Sequence, residues 1–208
     1  MTGAYSISVE GSYVVLKSKG RPYLKSIYYK GTEWEDTLYE NYTGTDGHFQ
    51  KNAFVISEYD FIIKIPLNPA VDSNHSTYKG TIGMAVDGVA IFDEYTSTGA
   101  VVTEEALGFD QNNSHPTPKN IYHYHLEPTG LTRTLGKDAL LGFLLDGFPL
   151  YGPEENGKTI TNADLDTYHG HFGVTEDYPS GTYHYHVTSE EPFIIGPGYY
   201  GKPGMVQR

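Results

Sequence analysis

Two short segments of the chain each carry a pair of histidines separated by a single residue. The segments span residues 121–126 and 182–187, and both read Tyr-His-Tyr-His at their centre. Both are rich in residues that favour β-strands, and side chains along a strand alternate between its two faces. The two histidines of each segment are therefore expected on one face and the two tyrosines on the other. Two imidazoles on one face of a strand make a natural pair of metal ligands.

A third histidine precedes each pair, His115 in the first case and His171 in the second. Three imidazoles with one open coordination position are typical of a metal site that holds water or substrate. The chain has no Cys, so thiolate ligands are excluded, and nitrogen ligands favour copper or zinc over calcium or magnesium, with copper placed first. The predicted metal ligands are His115, His123, His125, His171, His184 and His186.

Other functions are compatible with the same residues. If the protein is an enzyme, the metal would polarise a bound water or activate oxygen, with a small molecule or a glycan as substrate. Metal-free acid–base catalysis is an alternative, and it would pair a histidine with Asp146 or Asp166. A non-enzymatic module that binds a glycan or a protein is another, with the histidines hydrogen-bonded within a polar sheet face.

The remaining histidines are assigned no ligand role. His169 forms a further His-x-His pair with His171 but has no counterpart in the first segment, so it is expected at the surface. His48 and His75 are expected in solvated loops.

Four aspartates accompany the histidines in sequence. Asp110 and Asp166 each lie five residues before an upstream histidine. They fit carboxylates that orient a ligand from behind, and equally carboxylates that accept hydrogen bonds from loop N–H groups. Asp87 and Asp146 each precede a glycine between apolar runs, and we interpret them as turn residues of β-hairpins.

The elements that would position these residues are strands. Residues 82–92 and 141–151 each contain an Asp-Gly turn flanked by apolar runs, which predicts two hairpins. Pro149 suggests that the second arm of the second hairpin lies at a sheet edge or leaves the sheet early. Further strands are predicted at 5–9, 13–17, 53–57 and 60–66, loops at 34–47 and 68–79, and one helical turn within 161–168. The expected fold is mostly β, with antiparallel sheets in a sandwich- or barrel-like arrangement and few or no long helices.

The chain is interpreted as one domain, residues 1–208, with an internal repeat. Each half contains an Asp-Gly hairpin, an Asp followed by His, and a Tyr-His-Tyr-His segment, in that order. The order persists while the loop lengths differ, which favours a duplication. The repeats span approximately residues 82–127 and 141–188 and follow an N-terminal β region, residues 1–81. Paired packing of the repeats is expected to bring the two histidine strands near each other, in a shared or paired pocket.

Bulk composition excludes several classes of partner. The formal net charge is −12, which opposes binding to nucleic acid and to anionic membranes. No apolar run is long enough to span a bilayer. The first residues lack a basic segment followed by an apolar one, so the chain is either not exported or has had a signal removed.

These motifs together resemble the YHYH domain proteins. The resemblance rests on the two Tyr-His-Tyr-His segments, on residues 145–152 around Asp146-Gly147, and on residues 164–171, and it covers roughly residues 19–201. It implies a secreted or periplasmic location, but no reaction, because the family is named after its motif and has no established activity. Members carry cysteines where this chain has Asn113, Tyr168 and Pro197, so a disulfide implied by the family is absent here.

Overall fold

The computed structural model describes residues 4–76, 80–96 and 98–207, and within them the expected mostly β fold is confirmed. Strands account for 34% and helices for 11% of the chain, and no closed barrel is formed by the described residues. The strands are β1 (Ala4–Glu10), β2 (Tyr13–Ser18), β3 (Phe61–Pro66), β4 (Val71–Ser76), β5 (Thr81–Ala85), β6 (Ala90–Phe92), β7 (Ser114–Pro116), β8 (Tyr122–Tyr124), β9 (Leu140–Leu144), β10 (Pro149–Tyr151), β11 (Glu154–Glu155), β12 (Lys158–Thr159), β13 (Gly170–Gly173), β14 (Thr182–His186), β15 (Gly198–Gly201) and β16 (Met205–Gln207). The helices are α1 (Glu35–Leu38), α2 (Thr129–Leu135) and the 3-10 turns Ile27–Tyr29, Val102–Glu104, Ala106–Gly108 and Asn162–Asp164.

An eight-stranded sheet forms the centre of the molecule. Its strand order is β13-β14-β10-β9-β5-β6-β8-β7. Read inward from either edge, the sheet shows the same succession of pairings: antiparallel, then parallel, then antiparallel. The two halves meet at the antiparallel pair β5 and β9. This symmetric order is what a duplication would produce, and the duplication itself stays a prediction.

Two glycines allow the central strands to approach closely. A Cβ atom at Gly83 would lie 2.5 Å from the Phe143 carbonyl oxygen, and one at Gly142 would lie 2.4 Å from the Met84 carbonyl oxygen. Both distances are far below van der Waals contact, so only glycine fits at either position. Gly83 pairs with Leu144 and Gly142 pairs with Ala85, so the two glycines flank the central pair Met84 and Phe143 on opposite strands.

The two predicted Asp-Gly hairpins are confirmed, and their aspartates do more than form turns. The Asp87 carboxylate accepts hydrogen bonds from the Tyr124 hydroxyl at 2.8 Å and from the Val89 N–H at 3.2 Å. Asp146 accepts equivalent bonds from the Tyr185 hydroxyl at 2.6 Å and the Phe148 N–H at 3.3 Å. Each turn is thereby connected to the motif strand of its own half.

The tyrosine face of the large sheet belongs to the core, as alternation along the motif strands predicts. All four motif tyrosines are buried in one hydrophobic cluster with residues of the N-terminal sheet, such as Leu16 and Ile63. Their hydroxyls all find carboxylate acceptors, which removes the cost of burying them unpaired. The four tyrosines are Tyr122, Tyr124, Tyr183 and Tyr185.

A four-stranded antiparallel sheet, in the order β1-β2-β3-β16, packs near the hairpin turns. The Ser18 hydroxyl in β2 donates to the Gly88 carbonyl at 2.6 Å. Along β3, buried and half-buried residues alternate, so this strand buries one face rather than both, although its apolar sequence indicated burial on most sides. The predicted strands at 5–9, 13–17 and 60–66 are confirmed within one residue or so of their bounds.

Several predictions about elements were wrong. Residues 53–57 are not a strand, and half of the loop predicted at 68–79 is β4, which pairs with β15; residues 77–79 lie outside the described part. Pro149 begins β10, an interior strand with neighbours on both sides, where its missing N–H falls at the strand's first residue. The helix α2 was not predicted, because Thr and Gly make up four of its seven residues and weaken the helical pattern.

Two smaller features complete the comparison. The short helix α1 lies within the predicted loop at 34–47, and the turn predicted within 161–168 is the 3-10 turn Asn162–Asp164. Among the described residues, none belongs to a helix long and apolar enough to cross a bilayer.

Candidate metal centres

The first histidine cluster consists of His115, His123 and His125, and its three rings converge. One potential ligand atom from each residue lies within 4.8 Å of the other two. Strand β8 supplies His123, and His115 is its direct cross-strand partner on β7. The Nε2 atoms of His123 and His125 are 2.9 Å apart. All three side chains are buried.

The second histidine cluster consists of His171, His184 and His186, together with Glu155, and has the same construction. His171 on β13 is the cross-strand partner of His184 on β14, and their Nε2 atoms are 3.0 Å apart. The Glu155 carboxylate lies 3.2 Å from His184 Nε2 and 3.5 Å from His171 Nε2. All four potential ligand atoms fall within 4.8 Å of one another.

Backbone carbonyls fix the tautomers of the motif histidines. The Nδ1 atom of His123 faces the Ile121 carbonyl at 3.1 Å, and that of His184 faces the Thr182 carbonyl at 3.2 Å. The Nδ1 atom of His125 faces the Asp93 carbonyl, and that of His186 the Gly152 carbonyl at 2.7 Å. A carbonyl oxygen only accepts, so each Nδ1 carries the proton, and each neutral ring presents a bare Nε2.

Two bare nitrogens at such short range repel each other, and a cation bound between them would remove that repulsion. In the first cluster, the Nε2 lone pairs of His123 and His125 face each other at 2.9 Å with no proton to share. Two ligands with bonds of about 2.0–2.1 Å to one ion lie about 2.9 Å apart at an angle of about 90°, and about 3.3 Å apart at a tetrahedral angle. The observed separations in both clusters fit two ligands of a common ion.

His186 adds an independent indication in the second cluster. Its side chain is 1% exposed, and its Nε2 atom has no hydrogen-bond partner within the described residues. A buried ring nitrogen without a hydrogen-bond partner has lost its interactions with water and gained none in the protein, which costs free energy. An ion coordinated by Nε2 removes that penalty.

The electrostatic environment keeps these rings neutral. Burial lowers the pKa of His115 to about 3 and the pKa values of His125 and His186 to about 4. Burial, followed by the nearby rings of the cluster, lowers the pKa of His123 well below its usual range, and burial likewise lowers the pKa of His184. Neutral imidazole is the form that binds metal, so protons compete weakly at neutral pH.

The two clusters lie on the same face of the large sheet but far apart. Cross-strand partners share a face, and they connect the clusters in one continuous row. The row is His115, His123, Ala90, Met84, Phe143 and Pro149, and it continues to His184 and His171 because the residues that follow Pro149 and His184, Leu150 and Tyr185, pair with each other. Five strand spacings of about 4.8 Å separate His123 from His184, or about 24 Å in all. The expectation that the repeats bring their histidine strands near each other was therefore wrong, because four strands intervene.

Each cluster adjoins a cavity of its own. The first contributes its three histidines to a cavity of about 670 Å³, whose wall includes Phe54, Phe92 and Leu107. The second contributes His186 and Glu155 to a cavity of about 680 Å³. Both volumes suit a small-molecule ligand.

The candidate aspartates bind tyrosines on the other face of the sheet. Asp110 accepts from the Tyr122 hydroxyl at 2.8 Å and from the Asn112 N–H at 2.9 Å. Asp166 accepts from the Tyr183 hydroxyl at 2.8 Å and from the Tyr168 N–H at 2.8 Å. Of the two interpretations of Asp110 and Asp166, these contacts fit acceptors of loop N–H groups. Asp146, described above, has the same kind of environment.

The remaining histidines were predicted with mixed success. His169 was expected at the surface but is 2% exposed, and its Nε2 lies 3.1 Å from both the Asn162 amide oxygen and the Thr188 hydroxyl. His48 is exposed, as expected. His75 lies in β4 rather than in a loop, and its side chain is outside the described part of the chain.

Sequence reasoning missed the carboxylates nearest to the histidines. Glu155 lies on the short hairpin β11–β12, whose Asn156-Gly157 turn is a recognisable sequence signal. Glu105 has an oxygen 3.4 Å from His115 Nε2, and it sits in a region without a strand or hairpin pattern. Neither position reveals which ring its carboxylate will approach.

Comparisons with known proteins identify a family and no characterised relative. The family model described as YHYH protein matches residues 62–159 and 154–197, which together span most of the chain. No curated protein matches the chain, and no solved structure does.

Proposed function

The chain belongs to the YHYH protein family, and we propose that it binds two transition-metal ions, one at each histidine cluster. The ligands are His115, His123 and His125 in the first centre and His171, His184, His186 and Glu155 in the second. The observation that carries the proposal is the convergence of ring nitrogens in each cluster: the bare Nε2 atoms of His123 and His125 lie 2.9 Å apart, and the Nε2 atoms of His171 and His184 lie 3.0 Å apart.

Copper and zinc are the proposed ions. The donor atoms are imidazole nitrogens and one carboxylate oxygen, which suits either metal. The backbone carbonyls behind the rings fix their orientation and support their basicity, as partners behind metal ligands commonly do. Three protein ligands in the first centre leave a coordination position for water or substrate facing its cavity.

We further propose that the metals serve catalysis on a small molecule or a glycan. A bound ion would lower the pKa of a coordinated water or polarise an oxygen of the substrate. The protein's part is to hold three neutral rings in place, exclude bulk water and supply a cavity beside the open position.

Metal stoichiometry in matched variants tests the binding proposal. The protein is stripped with chelator, reloaded separately with Cu²⁺ or Zn²⁺, desalted and subjected to elemental analysis. We expect two ions per chain in the wild type, and one in each of the double variants H123A/H125A and H184A/H186A. The variant H48A, which removes an exposed histidine, should retain two.

Other results would contradict the proposal. If the reloaded wild type holds no copper or zinc, the clusters are not metal centres. If H184A/H186A lowers stability to the same extent with and without metal, the histidines are structural, as the binding-module alternative requires.

A further inference from the structure

The two cavities beside the histidine clusters differ sharply in charge. Five carboxylates line the cavity of the second cluster, and no Lys or Arg is among the described residues that line it. They are Asp138, Glu154, Glu155, Glu176 and Asp177. Among the described side chains that line the cavity of the first cluster, Glu105 is the one carboxylate, and the others are largely aromatic, proline and small polar residues.

Two lysines close in sequence to the lining residues, Lys137 and Lys158, form ion pairs elsewhere. The Lys137 ammonium lies 3.0 Å from the Glu127 carboxylate, and Lys158 pairs with Asp164. Both lysines are thus paired with carboxylates outside the lining. Like charges close together repel one another, so a cation bound in the cavity would reduce the repulsion between these carboxylates.

Apolar side chains share the same cavity. Leu135, Leu140 and Val174 lie in its wall, together with the Tyr151 ring. The Tyr151 hydroxyl donates to the Asp177 carboxylate at 2.9 Å, and its ring meets His184 edge to face at 5.3 Å. An alkyl chain would contact the apolar wall, while a positively charged head group would meet the carboxylates.

His186 is the residue of this cavity that points to a ligand. It is 1% exposed, lines the cavity, and has an Nε2 atom with no hydrogen-bond partner among the described residues. The cavity therefore connects the carboxylates to the second metal centre. The equivalent position in the first half has Phe92 where the second has Tyr151, and the carboxylates that directly follow Phe92, Asp93 and Glu94, do not line the first cavity.

We propose that the second centre takes a small organic cation, an alkyl chain with an ammonium or guanidinium head group. The head group is held by Glu154, Glu176, Asp177 and Asp138, and the alkyl chain lies against Leu135, Leu140 and Val174 beside His186. This assignment rests on the proposed metal function, since Glu155 and His186 serve as ligands of the ion. The two centres then have different substrates despite their common construction.

Paired probes test the assignment. n-Butylguanidinium carries a permanent charge and coordinates metals poorly, while n-butylurea has almost the same shape and no charge. Titration calorimetry on the metal-loaded protein at low salt should show the guanidinium bound at least tenfold more tightly. The preference should shrink as salt is raised, because ions screen the carboxylates.

Variants locate the effect. The double variant E176Q/D177N should reduce the preference to about threefold or less, while E33Q/D36N, which removes two exposed carboxylates elsewhere, should leave it unchanged. Glu176 and Asp177 are exposed, so the variant is expected to fold, and D138N is a second variant with the same expected direction.

Elemental analysis of the same samples separates this inference from the metal function. Equal binding of the two probes by a metal-loaded protein would overturn the assignment alone. The assignment would also be overturned if the wild type showed no preference for the guanidinium and E176Q/D177N loaded metal more slowly, since the carboxylates would then serve only to attract the ion. If the reloaded protein holds no metal and still binds the guanidinium more tightly than the urea, the metal function is rejected and the cation cavity is supported.

Discussion

At the scale of single residues, each Tyr-His-Tyr-His segment divides its work between two faces of one strand. The histidines converge on a candidate metal centre, and the tyrosines bind carboxylates, of which Asp87, Asp110 and Asp146 are buried and Asp166 is exposed. Tyr185, for example, donates to Asp146 at 2.6 Å, while its neighbours His184 and His186 point the other way. A substitution on the tyrosine face should thus affect stability before it affects metal binding.

The pKa of Asp146 leads to a prediction about stability and pH. Burial raises this pKa from 3.8 to about 6, against the opposing effect of hydrogen bonds from Tyr185, Gly201 and Phe148. Between pH 3.8 and 6 the folded protein holds a proton that the unfolded chain has lost, so this contribution to stability is full below pH 3.8 and is lost as pH rises through 6. The loss is about 3 kcal/mol at most.

Urea denaturation of wild type and D146N at pH 4 and pH 7 measures this effect. The variant should be less stable at both pH values, because its amide cannot accept all three hydrogen bonds. The stability advantage of the wild type should be smaller at pH 7 than at pH 4. The exposed-site variant D36N serves as control, and an advantage that grows with pH would contradict the assignment.

At the scale of secondary-structure elements, the contact between β5 and β9 joins the two halves of the large sheet. Gly142 faces the Met84 carbonyl, and a Cβ atom there would approach that oxygen to 2.4 Å. The strands must separate to admit a methyl group, which weakens the hydrogen bonds between the halves.

The variant G142A should therefore be destabilised by roughly 1–3 kcal/mol, the usual cost of overpacking. A Cβ atom added at Gly47 would have no neighbouring atom within 4 Å, and the φ angle there is not positive, so G47A is the matched control. Urea midpoints of both variants measure the difference. Equal midpoints for G142A and wild type would show that the two halves do not depend on this close approach.

The sequence predicted elements well where the pattern was local. The Asp-Gly hairpins and the alternation in the motif strands depend on neighbours in the chain, and both were recovered. Strand β4 was missed because its polar sequence, Val-Asp-Ser-Asn-His-Ser, becomes a strand by pairing with β15, more than a hundred residues away. Such tertiary pairing can override the low intrinsic strand propensity of a segment.

The candidate site shows the same limit. All six predicted histidines fall into two clusters, because alternation and the position of the upstream histidine define a local geometry. The separation of the clusters depends on strand order, and the approach of Glu155 depends on how a distant hairpin folds back. The spacing of the motif predicts neither the separation of the clusters nor the position of Glu155.

At the scale of the whole molecule, the two centres lie on one sheet face about 24 Å apart by strand spacing. That separation excludes a shared binuclear site and leaves two independent ones. Protein loaded with Cu²⁺ at both clusters should show a dipolar coupling between the ions that corresponds to about 24 Å.

Pulsed double electron–electron resonance measures this distance. The coupling should disappear in H123A/H125A and in H184A/H186A, since each leaves a single ion, and it should persist in H48A. A distance below about 10 Å would show that the ions occupy one pocket and would contradict the strand order.

Strand β16 pairs with β3 in the N-terminal sheet, and β15 pairs with β4. During synthesis, β3 and β4 therefore remain unpaired on these edges until residues more than a hundred positions later in the chain have been made. Until residues 205–207 have left the ribosome, the nascent protein exposes the edge of β3, with Ile63 and Ile65 beside it. An unpaired apolar edge of this kind can recruit strands from other chains. Aggregation during translation is therefore a particular hazard of this topology, and chaperone contact should concentrate on the first third of the chain.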